Sequence, residues 1–354
     1  MTDNPPTGKV QTVLGPIEAS EMGITLPHEH LLCDLSRVLA EPVQEAEKKR
    51  KHQKVGMSNL SWLRYHPFGN LDNVLLLDEQ EAIDEANLFK HAGGGCIVDC
   101  SINGIGRDPE GLARISRSTG LHVIMGSGYY TAASHDPRMG ARSEQAIVEE
   151  LVRDVTIGVG ESVIRAGFIG EIGCSWPLEA NERKVLRAAA RAQQLTGACL
   201  SIHPGRNRRA AFEIIDIVTE AGADLRRTIM CHIDVRLRDK ADRLRLAETG
   251  CYLEYDVFGW EGHFPCTWTA DDFLDIPNDT QRIYEICELI DAGFLTQVLI
   301  SQDICRKTAR ACYGGWGYAH ILKYVVPMMR QRGITQQQID TMLIDNPQRL
   351  FRFS

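Results

Sequence analysis

The sequence predicts an α/β protein, a single (β/α)8 TIM barrel with a short N-terminal β-hairpin and long βα loops, and three observations predict it. Short, continuously apolar, β-rich runs recur eight times, at 23–27, 95–100, 122–126, 167–171, 199–203, 229–232, 251–255 and 298–303. Each is followed by a stretch of helical character, and unbroken apolarity is what strands covered on both faces look like, so parallel pairing through right-handed crossovers follows. Eight such units are the number that closes a barrel. A length of 354 residues would by itself suit two domains. Residues able to act together are drawn from the first run to the last, however, so the chain reads as one unit over 1–354, with the hairpin at 8–22 and the barrel at 23–350.

Taken in order, residues 8–22 contain two short apolar runs about Gly15-Pro16 and read as a hairpin ahead of the barrel. After the first strand comes a long connection, 34–78, whose run EAEKKRKHQK at 45–54 reads as a solvated helix face. Residues 81–89 and 181–195 place apolar residues at helical spacing, and Gly197 stops the second helix as a C-terminal cap. Leu186, Ala189, Ala190 and Leu195 are read as its core-facing residues. The second long connection, 256–281, is rich in aromatics and Pro. Long loops after barrel strands lie on the catalytic rim, so both are candidate lids or specificity walls.

Composition removes several function classes. With 39 Lys+Arg against 47 Asp+Glu the formal charge is −8, which argues against nucleic acid as a partner. At 44% hydrophobic and 24% charged residues, a disordered or fibrous chain is excluded. No apolar run approaches a membrane span and the N-terminus has no secretory character, so a cytoplasmic protein without membrane contact is expected, compatible with a homodimer. Cys100, Cys199, Cys231 and Cys251 lie in or beside strand runs, where they serve as small buried hydrophobes.

The chemistry sits at the C-terminal ends of the strands. The first ends in Pro27-His28-Glu29-His30, the fourth in Gly170-Glu171, the fifth in Ile202-His203, the sixth in Cys231-His232 and the eighth in Gln302-Asp303. Side chains alternate along a strand, so His28 and His30 share a face and Glu29 points away. Imidazoles and carboxylates together suit zinc, or manganese, cobalt or iron(II), better than calcium or magnesium. Six ligands are too many for one catalytic ion with an open position. Two ions use them economically: His28, His30 and Asp303 on one, His203 and His232 on the other, and Glu171 between. Such a pair can present hydroxide to an electrophilic carbon or phosphorus. Any one of these residues alone has a bland alternative: Glu171 as a carboxylate paired with Arg, Asp303 as a helix N-cap.

The motifs GKVQTVLG (8–15), TLPHEHL (25–31), GEIGCSWP (170–177), IHPGR (202–206), CYLEYD (251–256) and YGGWGYAH (313–320) resemble those of the phosphotriesterase family of the amidohydrolase superfamily, and more narrowly its phosphotriesterase-related branch. The resemblance spans nearly residues 8–350. It implies a binuclear centre with His28, His30, Glu171, His203, His232 and Asp303 as ligands. Asp303 is also implied as the catalytic group that orients and deprotonates a metal-bridging hydroxide. Phosphotriesterases proper bridge their metals with a carbamylated Lys at the end of the fourth strand, where this sequence has Glu171. The proton-relay His they carry after the seventh strand has no counterpart, since Asp256 is followed by Val257 and Phe258.

The expected activity is therefore hydrolysis of an amide, ester or lactone bond of a small molecule, with two divalent ions, zinc first, as cofactor. Organophosphate hydrolysis is one alternative. The other is non-catalytic binding of a small molecule, since part of this family has carried a resiniferatoxin-binding label. Arg206 is read as a clamp for an anionic substrate, or else as a surface residue beside Arg208 and Arg209. Tyr129, with Tyr130, could hydrogen-bond a carbonyl or line the loop wall. Glu254 and Asp256 are read as substrate-side groups that order the Arg or receive a proton. Trp260, Trp316 and Tyr318 suggest an apolar entrance or simple packing.

Overall fold

A computed structural model describes residues 7–40, 45–265 and 273–354. Eight parallel strands form one sheet, β1 (Ile24–Glu29), β2 (Gly94–Asp99), β3 (His122–Ser127), β4 (Phe168–Gly173), β5 (Leu200–His203), β6 (Thr228–Met230), β7 (Tyr252–Tyr255) and β8 (Val298–Ile300). Each pairs with its neighbour in sequence. With helices between the strands this is a (β/α)8 barrel. Every residue of β4 is buried, which its unbroken apolar run requires.

The helices begin and end where side-chain chemistry dictates. Asp78 accepts from the amides of Gln80 and Glu81 to start α1 (Glu79–His91), and Asp108, followed by Pro109, starts α2 (Pro109–Thr119). Ser143 caps α3 (Glu144–Thr156). The helix α4 (Ala180–Thr196) ends at Gly197, whose φ of 71° a side-chain-bearing residue adopts only with strain. Leu186, Ala189 and Ala190 are buried as expected, but Leu195 is 55% exposed. The spacing explains it: nine residues at about 100° each set Leu195 on the face opposite Leu186.

The expected hairpin forms from Lys9–Thr12 and Gly15–Glu18. The C-terminal end of the chain seals against it through Gly8 N–H to Phe353 O and Phe353 N–H to Lys9 O. Val10, Phe168, Leu350 and Phe351 close that end of the barrel with an apolar plug. At the other end, the first long loop pairs Cys33–Asp34 with Leu75–Leu76. Its basic run makes only a short helix, Glu45–Lys48, and a 3-10 turn, Lys49–His52. The second long loop makes an antiparallel pair of Gly262–Pro265 with Phe273–Ile276, and residues 266–272 of that expected lid lie outside the described residues. Cys33, Leu35, Phe68, Ile105, Val257, Trp260 and Cys305 roof this rim. The four cysteines read as hydrophobes are buried and free. Among the described residues no helix is long and apolar enough to cross a membrane.

Candidate metal centre

The rim side of the barrel brings all six expected ligands together. His28 lies in β1 with its ring 5.8 Å from that of His30, and both Nε2 atoms face Glu171, at 3.5 and 3.9 Å. His203 ends β5, and its Nδ1 lies 3.1 Å from Glu171 Oε2; His232 Nε2 lies 3.3 Å from the same oxygen. Asp303 completes the set 3.3 Å from His30 Nε2. Ligand atoms of His28, His30 and Glu171, of Glu171, His203 and His232, and of His28, His232 and Asp303 form three groups, each within 4.8 Å. Glu171 is shared by the first two groups, as a bridging group would be.

Three of these residues lie beyond their strands: His30 just past β1, His232 past β6 and Asp303 past β8. β6 and β8 stop at Met230 and Ile300, because His232 and Asp303 take positive φ values of 57° and 48°. Neither residue adopts that region without cost, and such outliers concentrate at working sites. Gly170, before Glu171, has φ 127°, and a Cβ there would meet Ser201 O at 2.3 Å, so the bridge position rests on a glycine.

The far side of three of the imidazoles fixes the tautomer. Nδ1 of His28 donates to Glu254 at 2.9 Å, and Nδ1 of His232 donates to Asp256 at 2.7 Å, with the His232 backbone N–H on the other oxygen at 2.9 Å. His30 Nδ1 lies 3.0 Å from Ser101 Oγ, whose hydroxyl donates to Leu32 O, so that nitrogen carries the proton. Each arrangement leaves Nε2 with its lone pair aimed inward, as a metal-ligating histidine requires. Glu254 and Asp256 are fully buried behind the histidines. The expectation that they face substrate is corrected: alternation put them inside the barrel, and the neighbouring imidazoles of β1 and the β6 end took both carboxylates.

The buried carboxylates and imidazoles shift one another. Burial would raise the Glu171 carboxyl, but His28, His203 and His232 around it hold it well below the usual carboxylate range. Burial, with the charge of His232, pushes His203 down to about 4. Burial lowers His232 too, yet Asp256 and Glu171 outweigh it and lift it to about 9. His28 Nε2 is buried with no hydrogen-bond partner. A lone pair left bare in a nitrogen and oxygen cage is what a divalent transition metal fits, and the residues present fit two.

The sequence passed over Glu29, which the structure ties to Asp303. Turned away from the ligands, its carboxylate accepts from the amides of Gln302 and Ile304, both at 2.9 Å, and lies 2.8 Å from Ser301 Oγ. It thus grips the backbone on both sides of Asp303; its position between two histidines was the available signal.

The substrate-side expectations separate. Tyr129 is turned away: its hydroxyl donates to Glu150 at 2.7 Å and receives from Arg142, beside a cavity of about 770 Å³ lined by Asp34, Arg37 and Arg142 and by none of the ligands. Its neighbour Tyr130 comes instead, with its hydroxyl 3.5 Å from His203 Nδ1 and the rings 5.0 Å apart. Adjacent residues face opposite ways, and the sequence could not fix the phase. Arg206 is half-buried on the loop after β5, while Arg208 pairs with Asp242 at 2.8 Å on the surface. Arg236, which the sequence did not single out, lies half-buried two residues beyond Asp234, with its Nε–H donated to Pro204 O. Tyr318 is packing, its hydroxyl donated to His30 O at 2.8 Å.

Comparison with known proteins gives a consistent result. The model of the phosphotriesterase family matches residues 8–351. Human N-acetyltaurine hydrolase is 43% identical over 350 residues, covering 98% of this chain and 99% of that protein. A crystal structure of a resiniferatoxin-binding protein from Rhodobacter sphaeroides superposes with a TM-score of 0.94 at 38% identity, covering 99% of this chain and 98% of that one. A mutant of a phosphotriesterase-like lactonase from Deinococcus radiodurans gives 0.74 at 26% identity, covering 97% and 99%.

Proposed function

The chain belongs to the phosphotriesterase family and is a hydrolase, and from that premise we propose that it cleaves an amide, ester or lactone of a small molecule at a binuclear metal centre. The ligands are His28, His30, Glu171, His203, His232 and Asp303. One observation carries the reading: four imidazoles and two carboxylates from five strand ends bring their ligand atoms to one spot, with the outer nitrogens of three imidazoles already engaged. Divalent ions held there, zinc first, supply Lewis acidity, polarising a carbonyl oxygen and making hydroxide available near neutral pH.

The protein's own groups do the rest. Glu254 and Asp256 keep His28 and His232 in the ligating tautomer. Asp303, its backbone held by Glu29, is the base that takes the proton of the attacking water and returns it to the leaving group. The Tyr130 hydroxyl lies 3.5 Å from His203 Nδ1, beside the ligands, where it can hydrogen-bond the substrate carbonyl. The human relative's name, and that of the lactonase, favour an N-acyl amino acid or N-acyl aminosulfonate first and a lactone second. Arg206, half-buried on the loop after β5, is a candidate substrate contact. Phosphotriesters rank below these, because Val257 and Phe258 stand where the relay histidine would be.

Protein reconstituted with zinc, manganese or cobalt, assayed on lactones, N-acyl amino acids, N-acetyltaurine and phosphotriesters with bound metal measured in parallel, tests the proposal. His28→Ala and Asp303→Asn should each lower kcat/KM by about 100-fold or more. Full activity in both variants, or an active native protein with negligible transition metal, refutes it.

A further inference from the structure

We infer that the aromatic pocket around Arg306, on the rim beside Asp303, is an anion subsite that receives the carboxylate or sulfonate end of the substrate; this rests on the hydrolase reading above. Four arginines are buried among the described residues, and three have carboxylate partners. Arg282 pairs with Asp234 at 2.7 Å, Arg243 with Glu288 at 2.8 Å and Arg310 with Glu81 at 3.3 Å. Arg306, only 4% exposed, pairs with no described carboxylate, and its Nη1 is buried without a hydrogen-bond partner. A buried charge without a carboxylate beside it is costly, so the position favours an anion.

The walls say what the partner is. The guanidinium lies 3.6 Å from the Trp260 ring centre, 5.4 Å from that of Trp316 and 6.0 Å from that of Phe68. Aromatic faces attract a cation but accept its N–H groups only weakly. Trp260 has spent its own N–H on Gln302 O at 2.9 Å, whereas the Trp316 indole N–H is buried with no partner. Two orphaned groups therefore lie on side chains in contact, and both are donors only. An occupant must bring acceptors, and the charge of Arg306 selects an anion with more than one oxygen.

Placement links the pocket to the reaction. Three rim loops build it: Phe68 from the connection after β1, Trp260 from that after β7, and Arg306 with Trp316 from that after β8. Arg306 follows Asp303 by three residues, and burial, partly offset by Cys305 and Asp303, pulls its guanidinium below the ordinary range. Arg236 spends its Nε–H on Pro204 O. Of the four buried arginines, Arg306 is the one with no described carboxylate beside it.

The test uses the metal-loaded full chain and two matched amides, N-acetyl-β-alanine and its uncharged N-methylamide, with 3-acetamidopropanesulfonate as the sulfonate arm. Native protein should prefer an anionic member, and Arg306→Gln should lower the anionic-to-neutral ratio of kcat/KM by about tenfold or more. Whichever anion native protein prefers identifies the head group. A ratio that moves less than about twofold overturns the inference. Trp316→Phe, which keeps a ring and removes one donor, should lower the same ratio about threefold, and it decides the matter if Arg306→Gln does not fold. Thermal unfolding with propionate or ethanesulfonate at constant ionic strength needs no turnover. A rise in Tm in native protein that Arg306→Gln abolishes supports the subsite even if no amide is hydrolysed, in which case the hydrolase reading fails alone. A rise that persists in the variant overturns the subsite and leaves the hydrolase reading standing.

Discussion

Replacing Asp256 with Asn probes how the protein holds an imidazole ready for a metal. Asp256 accepts twice from one residue, from Nδ1–H of His232 at 2.7 Å and from its backbone N–H at 2.9 Å. An amide offers one oxygen and one NH2, so in either orientation a donor faces a donor. With NH2 against Nδ1, the ring escapes only by moving its proton to Nε2, the atom 3.3 Å from Glu171, and its lone pair for a metal is lost. With NH2 against the backbone, a buried N–H is orphaned at a cost of ~1–3 kcal/mol, and the left-handed turn at His232 loses its tether. Either way the ion held by His203 and His232 should bind about 10- to 100-fold more weakly. Glu254→Gln is the internal comparison. Glu254 makes one bond, Oε2 to His28 Nδ1 at 2.9 Å, and its Oε1 has no partner, so an amide can keep its oxygen on the ring. A loss of only about threefold is expected there, set against the outer-shell range. Competition titration of apoprotein with zinc against a chromogenic chelator reads both. Native affinity in Asp256→Asn, or a larger loss in Glu254→Gln, would refute the reasoning.

Three further outcomes follow from other positions. Metal loading should not depend on bicarbonate, because Glu171 needs no carbamate, and Glu171→Lys should lose activity unless carbon dioxide restores one; a bicarbonate requirement in native protein contradicts the bridge assignment. Glu29→Gln puts an NH2 against amide or hydroxyl donors that now flank Asp303, so kcat should fall about tenfold or more with metal content retained, and an unchanged kcat removes Glu29 as a positioning residue. Burial, against Arg243 at 3.7 Å, pushes Glu285 from 4.5 up to about 7. Its folded form holds the proton more tightly, so its contribution is full below pH 4.5 and lost as pH rises to about 7, worth up to roughly 3 kcal/mol. The Tm of Glu285→Gln should therefore gain on that of native protein between pH 5 and pH 8, and a pH-independent difference excludes this.

The barrel was legible because its strands are covered on both faces, which leaves a contiguous apolar signature, and because ligand types fell at strand ends. Its misreadings share one cause. Alternation tells which way a side chain points, not which atom it meets. Glu254 and Asp256 point inward as expected, yet they meet His28 and His232, residues 226 and 24 positions away, and so stand behind the ligands. Tyr129 and Tyr130 alternate, and nothing local says which is inward. Leu195 shows the helical version, an apolar residue on the wrong side of a correctly read helix. Arg306 left no motif, because its meaning lies in what is missing around it once three distant loops have met.

The place where the barrel closes explains how three of the ligands come together. β1 and β8 are the first and last strands of the ring, and between them they carry or adjoin His28, His30 and Asp303. Asp303 N–H donates to His28 O at 3.2 Å, and His28 N–H donates to Ser301 Oγ at 3.1 Å. Glu29 then grips residues 301, 302 and 304 from the opposite face of β1. Side chains thus do at this seam much of what a regular ladder does elsewhere. A regular ladder would fix only strand register, whereas these contacts also fix the left-handed backbone of Asp303. Closing the ring and building the ion site held by His28, His30 and Asp303 are therefore one event. Until the last strand docks, those two histidines have no Asp303, and Asp303 has nothing to hold its turn. The alternation His-Glu-His at the end of β1 is what makes this possible, two residues facing the metal site and the one between them facing the seam.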